Sequence, residues 1–157
     1  MKQAAAKSPI SREKALSRAM KLCSSQEYCK SDIEKKLLGW QLDPEHIPFV
    51  LQQLEQEKFL DDFRFARAFA KDKLRFSKWG SIKVKYHLKM KGISANIIRE
   101  VFCDLDDIDQ EEIIRKELEI KRKFIKDSDP YLVKMKLLRF AQSRGYDLDI
   151  VQRVVGL

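Results

Sequence analysis

Apolar side chains return along this chain in one register, three times over. Asp43, Ser94 and Asp147 each follow an apolar residue: Leu42, Ile93 and Tyr146. Each is followed at +4, +7 and +8 by Ile47, Val50 and Leu51, by Ile98, Val101 and Phe102, and by Val151, Val154 and Val155. Ten positions before the three anchors stand Ile33, Val84 and Leu137, and six before stand Leu37, Leu88 and Ala141. Steps of three and four put such residues on one face of a helix, so the register predicts three copies of one helical hairpin. A longer amphipathic helix is expected before each hairpin, over residues 12–24, 61–77 and 110–126. The expected fold is therefore all-α, about nine helices in three three-helix repeats (approximately 12–59, 60–105 and 106–157). A unit that cannot bury its own apolar face stacks on its neighbours, which predicts a single elongated tandem array.

Helix starts are written into the polar positions. Ser31 with Glu34, and Asp109 with Glu112, have capping-box spacing. Asp43-Pro44 and Asp129-Pro130 set a cap before a proline at the first helical position. Ser11, Asp61, Ser94 and Asp147 are further caps, and one more start is expected near Trp79–Ser81. Residues 82–91, IKVKYHLKMK, alternate strictly between apolar and polar, which by itself signals a strand. The repeat register assigns them to a helix instead. Ile82, Tyr86 and Met90 would then share one face and Val84 with Leu88 another, as suits a middle repeat packed on both sides.

Composition narrows the class. The 157 residues are 44% hydrophobic and 36% charged, enough for a core with a charged surface. Five glycines and four prolines are too few for a turn-rich β-sandwich. Cys23, Cys29 and Cys103 show no CxxC pairing, and with His46 and His87 as the only histidines there is no zinc ligand set. Reduced thiols in a cytoplasmic protein are the expectation, with no metal, no cofactor and no membrane partner. Residues 1–11 read as a disordered tail without the apolar core of a secretory signal.

Phe59-Leu60-Asp61-Asp62-Phe63-Arg64-Phe65-Ala66, then Gly80, Ile82, Leu88 and Lys91-Gly92-Ile93, resemble the signature of the RecX family of regulatory proteins. Arg139-Phe140 with Arg144-Gly145-Tyr146 resembles that family's closing hairpin. The likeness covers about residues 12–157. It implies a nine-helix chain of three repeats and a non-enzymatic regulator that binds the RecA recombinase filament, restrains its activity in recombination and DNA repair, and touches DNA. Leu60, Asp61, Asp62, Arg64, Phe65, Ala66, Gly80, Gly92 and Gly145 are the motif positions. The first repeat departs from the pattern, with Gln41 where the others have Gly92 and Gly145, so its turn is expected to be built differently.

Asp61 and Asp62 sit where a helix begins, and a cap explains adjacent carboxylates there better than metal or acid–base chemistry does. No nucleophile–histidine set or glycine-rich phosphate loop is present, so no catalytic residues are expected. The acidic run from Asp104 to Glu112 reads as a solvated connector. The helix after it carries the i,i+4 pairs Glu111–Arg115, Glu112–Lys116, Glu117–Lys121 and Glu119–Lys123.

Charge is uneven. Residues 60–92 hold ten basic and three acidic side chains, whereas residues 93–157 hold twelve and thirteen, so most of the net +8 lies mid-chain. Arg64, Arg67, Lys71, Arg75 and Lys78 fall in a stripe ~80° wide and ~21 Å long on one helix. Phe65, Ala66, Phe69, Ala70 and Phe76 are expected on its opposite face. The stripe is the candidate contact for an anionic partner, with Lys83, Lys85 and Lys89 on the next helix as further candidates. Reversing charge at Lys71 and Arg75 is expected to weaken binding and to leave folding almost unchanged, within about 0.5 kcal/mol. The alternatives are a stand-alone binder of single- or double-stranded DNA and a helical scaffold for another acidic partner. A helix-turn-helix reader is disfavoured, because residues 94–103 offer bases only Asn96 and Arg99 beside Glu100. A monomer is expected.

Overall fold

The structure is a computed structural model, and it describes residues 9–156. The helices are α1 (Arg12–Ser25), α2 (Lys30–Gly39), α3 (Ile47–Gln56), α4 (Asp62–Arg75), α5 (Ser81–Met90), α6 (Ala95–Cys103), α7 (Gln110–Phe124), α8 (Pro130–Arg144) and α9 (Leu148–Val155), with a 3-10 turn at Pro44–His46. No strand occurs among the described residues, and the alternating segment is α5. Among the described residues the expected all-α fold and its helix count hold. Most of the expected tail, residues 1–8, lies outside the described residues. Just after it, Ile10 packs against a core, and Ser11 caps α1 as expected, accepting from the Lys14 amide at 3.2 Å.

Polar residues start these helices as the sequence leads one to expect. Asp43, Asp61, Ser94, Asp109, Asp129 and Asp147 each accept from a backbone N–H two or three residues ahead. Ser31 is the exception. α2 begins two residues earlier than a Ser31 cap would set it, with Cys29 at the cap position. The side chain that meets the first amide of α2 comes from far along the chain, since the Lys30 N–H donates to Asp62 Oδ1 at 3.1 Å. The two adjacent aspartates thus cap two helices: Asp61 its own, through the Arg64 N–H at 3.0 Å, and Asp62 a distant one.

The chain divides into two compact units, one ending at Phe65 and the other beginning at Ala66. In the first, Ala15 and Ala19 of α1, Ile33 and Leu37 of α2, and Ile47, Val50 and Leu54 of α3 share a core with Leu42 and Leu60. In the second, Ile114 and Leu118 of α7 pack with Leu137 and Ala141 of α8, Tyr146 and Val151. Ala70, Leu74, Val84, Leu88, Ile93 and Val101 are buried there as well. The register positions ten and six before each anchor are buried in all three hairpins.

The three hairpin turns are the same turn. Leu42 N–H donates to Leu37 O, Ile93 to Leu88 O and Tyr146 to Ala141 O, all at 3.0–3.1 Å. The residue before each donor is left-handed: Gln41 at φ 63°, Gly92 at 80° and Gly145 at 74°. The absence of glycine at Gln41 does not change the construction, contrary to the expectation. Glutamine takes the glycine conformation, at the steric cost a Cβ incurs there.

A second backbone junction lies within the second unit. Gly80 N–H donates to Arg144 O at 2.7 Å, and Ile82 N–H donates to Gly145 O at 3.1 Å. The first amides of α5, which have no partners inside their own helix, are thereby matched to the last carbonyls of α8. The Tyr146 hydroxyl donates to Lys78 O at 2.8 Å, and Arg144 Nη1 reaches Ser77 O at 3.4 Å. A Cβ on Gly80 would collide with the Gly145 carbonyl, and one on Gly145 would collide with Lys83. Two fragments of the signature, far apart in sequence, are joined here backbone to backbone.

Candidate anionic-partner interface

The stripe on α4 divides by environment. Arg64 lies in the first unit and serves its framework: Nε donates to Glu27 Oε1 at 2.6 Å, and Nη2 to Lys58 O and Phe59 O at 3.1 and 3.3 Å. Arg67, Lys71 and Arg75 lie in the second unit and meet carboxylates of the acidic connector. Arg67 Nε is 2.5 Å from Asp104 Oδ2, and Asp107 Oδ2 is 2.8 Å from Arg75 Nη2 and 3.5 Å from Lys71 Nζ.

This connector is more than a solvated link. Leu105 and Ile108 are buried within it, and they fasten it so that Asp104 and Asp107 come to the row on α4. Desolvation pushes the Asp107 carboxyl up, but Lys71 and Arg75 outweigh it and hold the group below its ordinary value. The apolar residues spaced through the run DLDDID were the available signal. Asp104 and Asp107 are the residues sequence reasoning missed. On the opposite side of α4, Phe65, Ala66 and Ala70 are buried, but Phe76 is 78% exposed and does not join them as expected.

Lys78 is left-handed (φ 57°), and its carbonyl accepts the Tyr146 hydroxyl, so its backbone is fixed by α8's end. On α5, Lys83 lies over the Trp79 ring at 4.5 Å and Lys85 over Phe102 at 4.7 Å, both cation–π contacts, while Lys89 is exposed. Val84 and Leu88 are buried inward. The other apolar face of α5, expected to pack, does not: Ile82, Tyr86 and Met90 are 56%, 59% and 69% exposed. From Lys73 to Arg99 the chain carries no Asp or Glu.

On α6 the two residues that could have read bases bond to each other, Arg99 Nη1 donating to Asn96 Oδ1 at 3.1 Å. On α7, Glu111–Arg115 and Glu112–Lys116 form at 3.3 and 3.5 Å. The expected Glu117–Lys121 pair is redirected: Glu117 faces Arg144 at 4.0 Å, and Lys121 lies over Phe140. Burial pushes the Cys23 and Cys29 thiols up, and Cys103 is exposed. Among the described residues no three His, Cys, Asp or Glu side chains gather as metal ligands would, and no helix is long and apolar enough to cross a membrane.

Comparison with known proteins gives one answer. Residues 61–101 match the model of the second three-helix domain of RecX, and residues 109–155 that of the third. A regulatory protein RecX from Clostridium botulinum (strain Alaska E43 / Type E3) is 37% identical over 117 residues, 72% of this chain and 53% of the relative. The chain thus spans about half the length of that relative. One from Chlorobaculum tepidum is 32% identical over 143 residues, covering 91% of this chain and 87% of the relative. The crystal structure of RecX from Lactobacillus salivarius superposes with a TM-score of 0.83 at 19% identity, over 92% of this chain and 94% of that one, which shows a shared fold. With two matched domains and these relatives, the chain belongs to the RecX family of regulatory proteins.

Proposed function

We propose that this chain is a non-enzymatic regulator that acts in the cytoplasm by binding the RecA recombinase filament and restraining recombination and DNA repair. It works by occupying a surface, as a monomer, without turning over a substrate. Beside family membership, the observation that carries this reading is the long stretch without acidic residues between Lys73 and Arg99, much of it on the exposed faces of α5. The contact is assigned to Arg67, Lys71 and Arg75 of the α4 row and to Lys78, which the structure places beyond the end of that helix, with Lys83, Lys85 and Lys89 beside them; Arg64 serves the first unit instead. Asp104 and Asp107 hold the row in place until an anion of the partner takes their position. Exposed ion pairs are weak against solvent screening, so the exchange is easy. DNA, single- or double-stranded, is a secondary partner through its phosphates. A stand-alone DNA reader is less well supported, because Arg99 is bonded to Asn96 and stands next to Glu100.

The test is inhibition of RecA's DNA-dependent ATP hydrolysis at two salt concentrations, alongside co-sedimentation with the filament. Lys71→Gln with Arg75→Gln should inhibit more weakly and with a shallower salt dependence, since fewer ions are displaced. Equal inhibition by parent and variant at both salts would remove the row from the contact. A parent chain that neither co-sediments nor inhibits would overturn the whole reading.

A further inference from the structure

We infer that the outer face of α5 is a docking surface for an acidic amphipathic helix of a protein partner. Ile82, Tyr86 and Met90 recur at i, i+4 and i+8, forming a row ~12 Å long on one side of the helix. Each of the three is more than half exposed, so the row is apolar surface that no described residue covers. At ~100° per residue, Lys83 falls on one flank of the row and Lys85 and Lys89 on the other. Among the described residues no carboxylate pairs with these three lysines, and the contacts of Lys83 and Lys85 are with rings. Arg67, Lys71 and Arg75 of α4 differ in this respect, being matched by Asp104 and Asp107.

An apolar row bordered on both sides by uncompensated lysines is complementary to a helix with an apolar row bordered by Asp or Glu. A nucleic acid fits less well. Tyr86 could stack on a base, but Ile82 and Met90 gain nothing from a hydrated sugar–phosphate chain. The inference deepens the reading above by naming what kind of surface the partner presents to α5.

Binding is measured with the full chain by fluorescence anisotropy against three labelled probes. One is a helical peptide with a leucine row bordered by Glu, the second the same row bordered by Lys, the third oligothymidylate. The parent should bind the Glu-bordered peptide and not the Lys-bordered one. Ile82→Ser with Met90→Ser should weaken that binding tenfold or more and leave oligothymidylate unaffected. Lys85→Glu with Lys89→Glu should lose the Glu-bordered peptide and take up the Lys-bordered one. These side chains are exposed, and far-UV circular dichroism checks that each variant folds. The inference is overturned if the serine variant binds the Glu-bordered peptide like the parent, or if the parent ignores that peptide. It is also overturned if loss of the row instead abolishes oligothymidylate binding or a self-association of the parent. The peptide arm needs no recombinase. Peptide binding without capture by the RecA filament would sink the functional reading alone, and filament capture without peptide binding would sink this inference alone.

Discussion

Gly80 and Gly145 hold two helix ends together without a side chain between them. Gly80 N–H donates to the carbonyl just before Gly145, and a Cβ on either residue would strike the other segment. Gly80→Ala should therefore destabilise by about 1–3 kcal/mol, the usual range for forced overpacking. Gly145→Ala should cost more, because it adds the left-handed strain of φ 74° to its collision with Lys83. Gly92 is the control: it has φ 80° with open space around it, so Gly92→Ala should lose only about 1 kcal/mol. Urea unfolding midpoints at unchanged slope would give this order; equal losses at all three would contradict the junction.

Gln41 offers the opposite experiment. It holds the left-handed position at φ 63° that glycine holds in the other two turns. Gln41→Gly should raise stability by about 0.5–1 kcal/mol, the relieved strain exceeding the extra chain entropy. A lower thermal midpoint would mean that the glutamine side chain contributes more than its backbone costs.

The paired aspartates separate two caps. Asp61→Ala should cost about 0.5–2 kcal/mol and Asp61→Asn much less, because asparagine caps comparably well. Asp62→Ala should show a similar loss, felt through α2, whose Lys30 amide loses its acceptor. Amide hydrogen exchange distinguishes them: Asp61→Ala should speed exchange at Arg64, and Asp62→Ala at Lys30. Large and equal losses for Asp61→Ala and Asp61→Asn would point to a role for charge.

Tyr146 should titrate late. Burial is the main cause that pushes its phenol up to about 12, and its hydroxyl donates to Lys78 O. With the folded value raised, the stability it contributes is intact below about 10, its ordinary value, and is lost as pH rises toward 12. Absorbance of phenolate should show a tyrosine step well above the ordinary value, near 12. Tyr146→Phe should remove that step and cost about 0.5–1.5 kcal/mol for the hydrogen bond.

Asp107 gives the acid counterpart. Its value is lowered by Lys71 and Arg75, so its contribution is present above the ordinary value of 3.8 and fades as pH falls through the folded one. Asp107→Asn should flatten the acid limb of the stability profile. Charge reversal at Lys71 and Arg75 is no longer expected to be neutral for folding, since it would set two new carboxylates against Asp107. Neutral glutamines should disturb folding less than glutamates, and parallel urea melts of the two double variants would check it.

What the sequence made legible was local. Caps such as Asp43, Ser94 and Asp147 act on amides two or three residues away, so their spacing is visible in the string. The buried positions Ile33, Val84 and Leu137 followed from the period of the helix. What stayed hidden was tertiary. Periodicity places Ile82, Tyr86 and Met90 on one face but is silent on whether anything covers it. Asp104 meets Arg67 across 37 residues, and Lys30 meets Asp62 across 32, with no local mark of either. The sequence also placed Phe76 inside because it continues the apolar side of α4; the helix ends at Arg75, and the next residue leaves that side.

The junction at Gly80 also sets a timetable for synthesis. Lys78 waits for the Tyr146 hydroxyl, which lies 68 residues downstream, and the first amides of α5 wait for the end of α8. A ribosome that has made α4, α5 and α6 has not yet made the acceptors that finish α5's beginning. The second unit can close only after Tyr146 has emerged, so a nascent chain stopped before Arg144 should keep residues 77–82 open to protease.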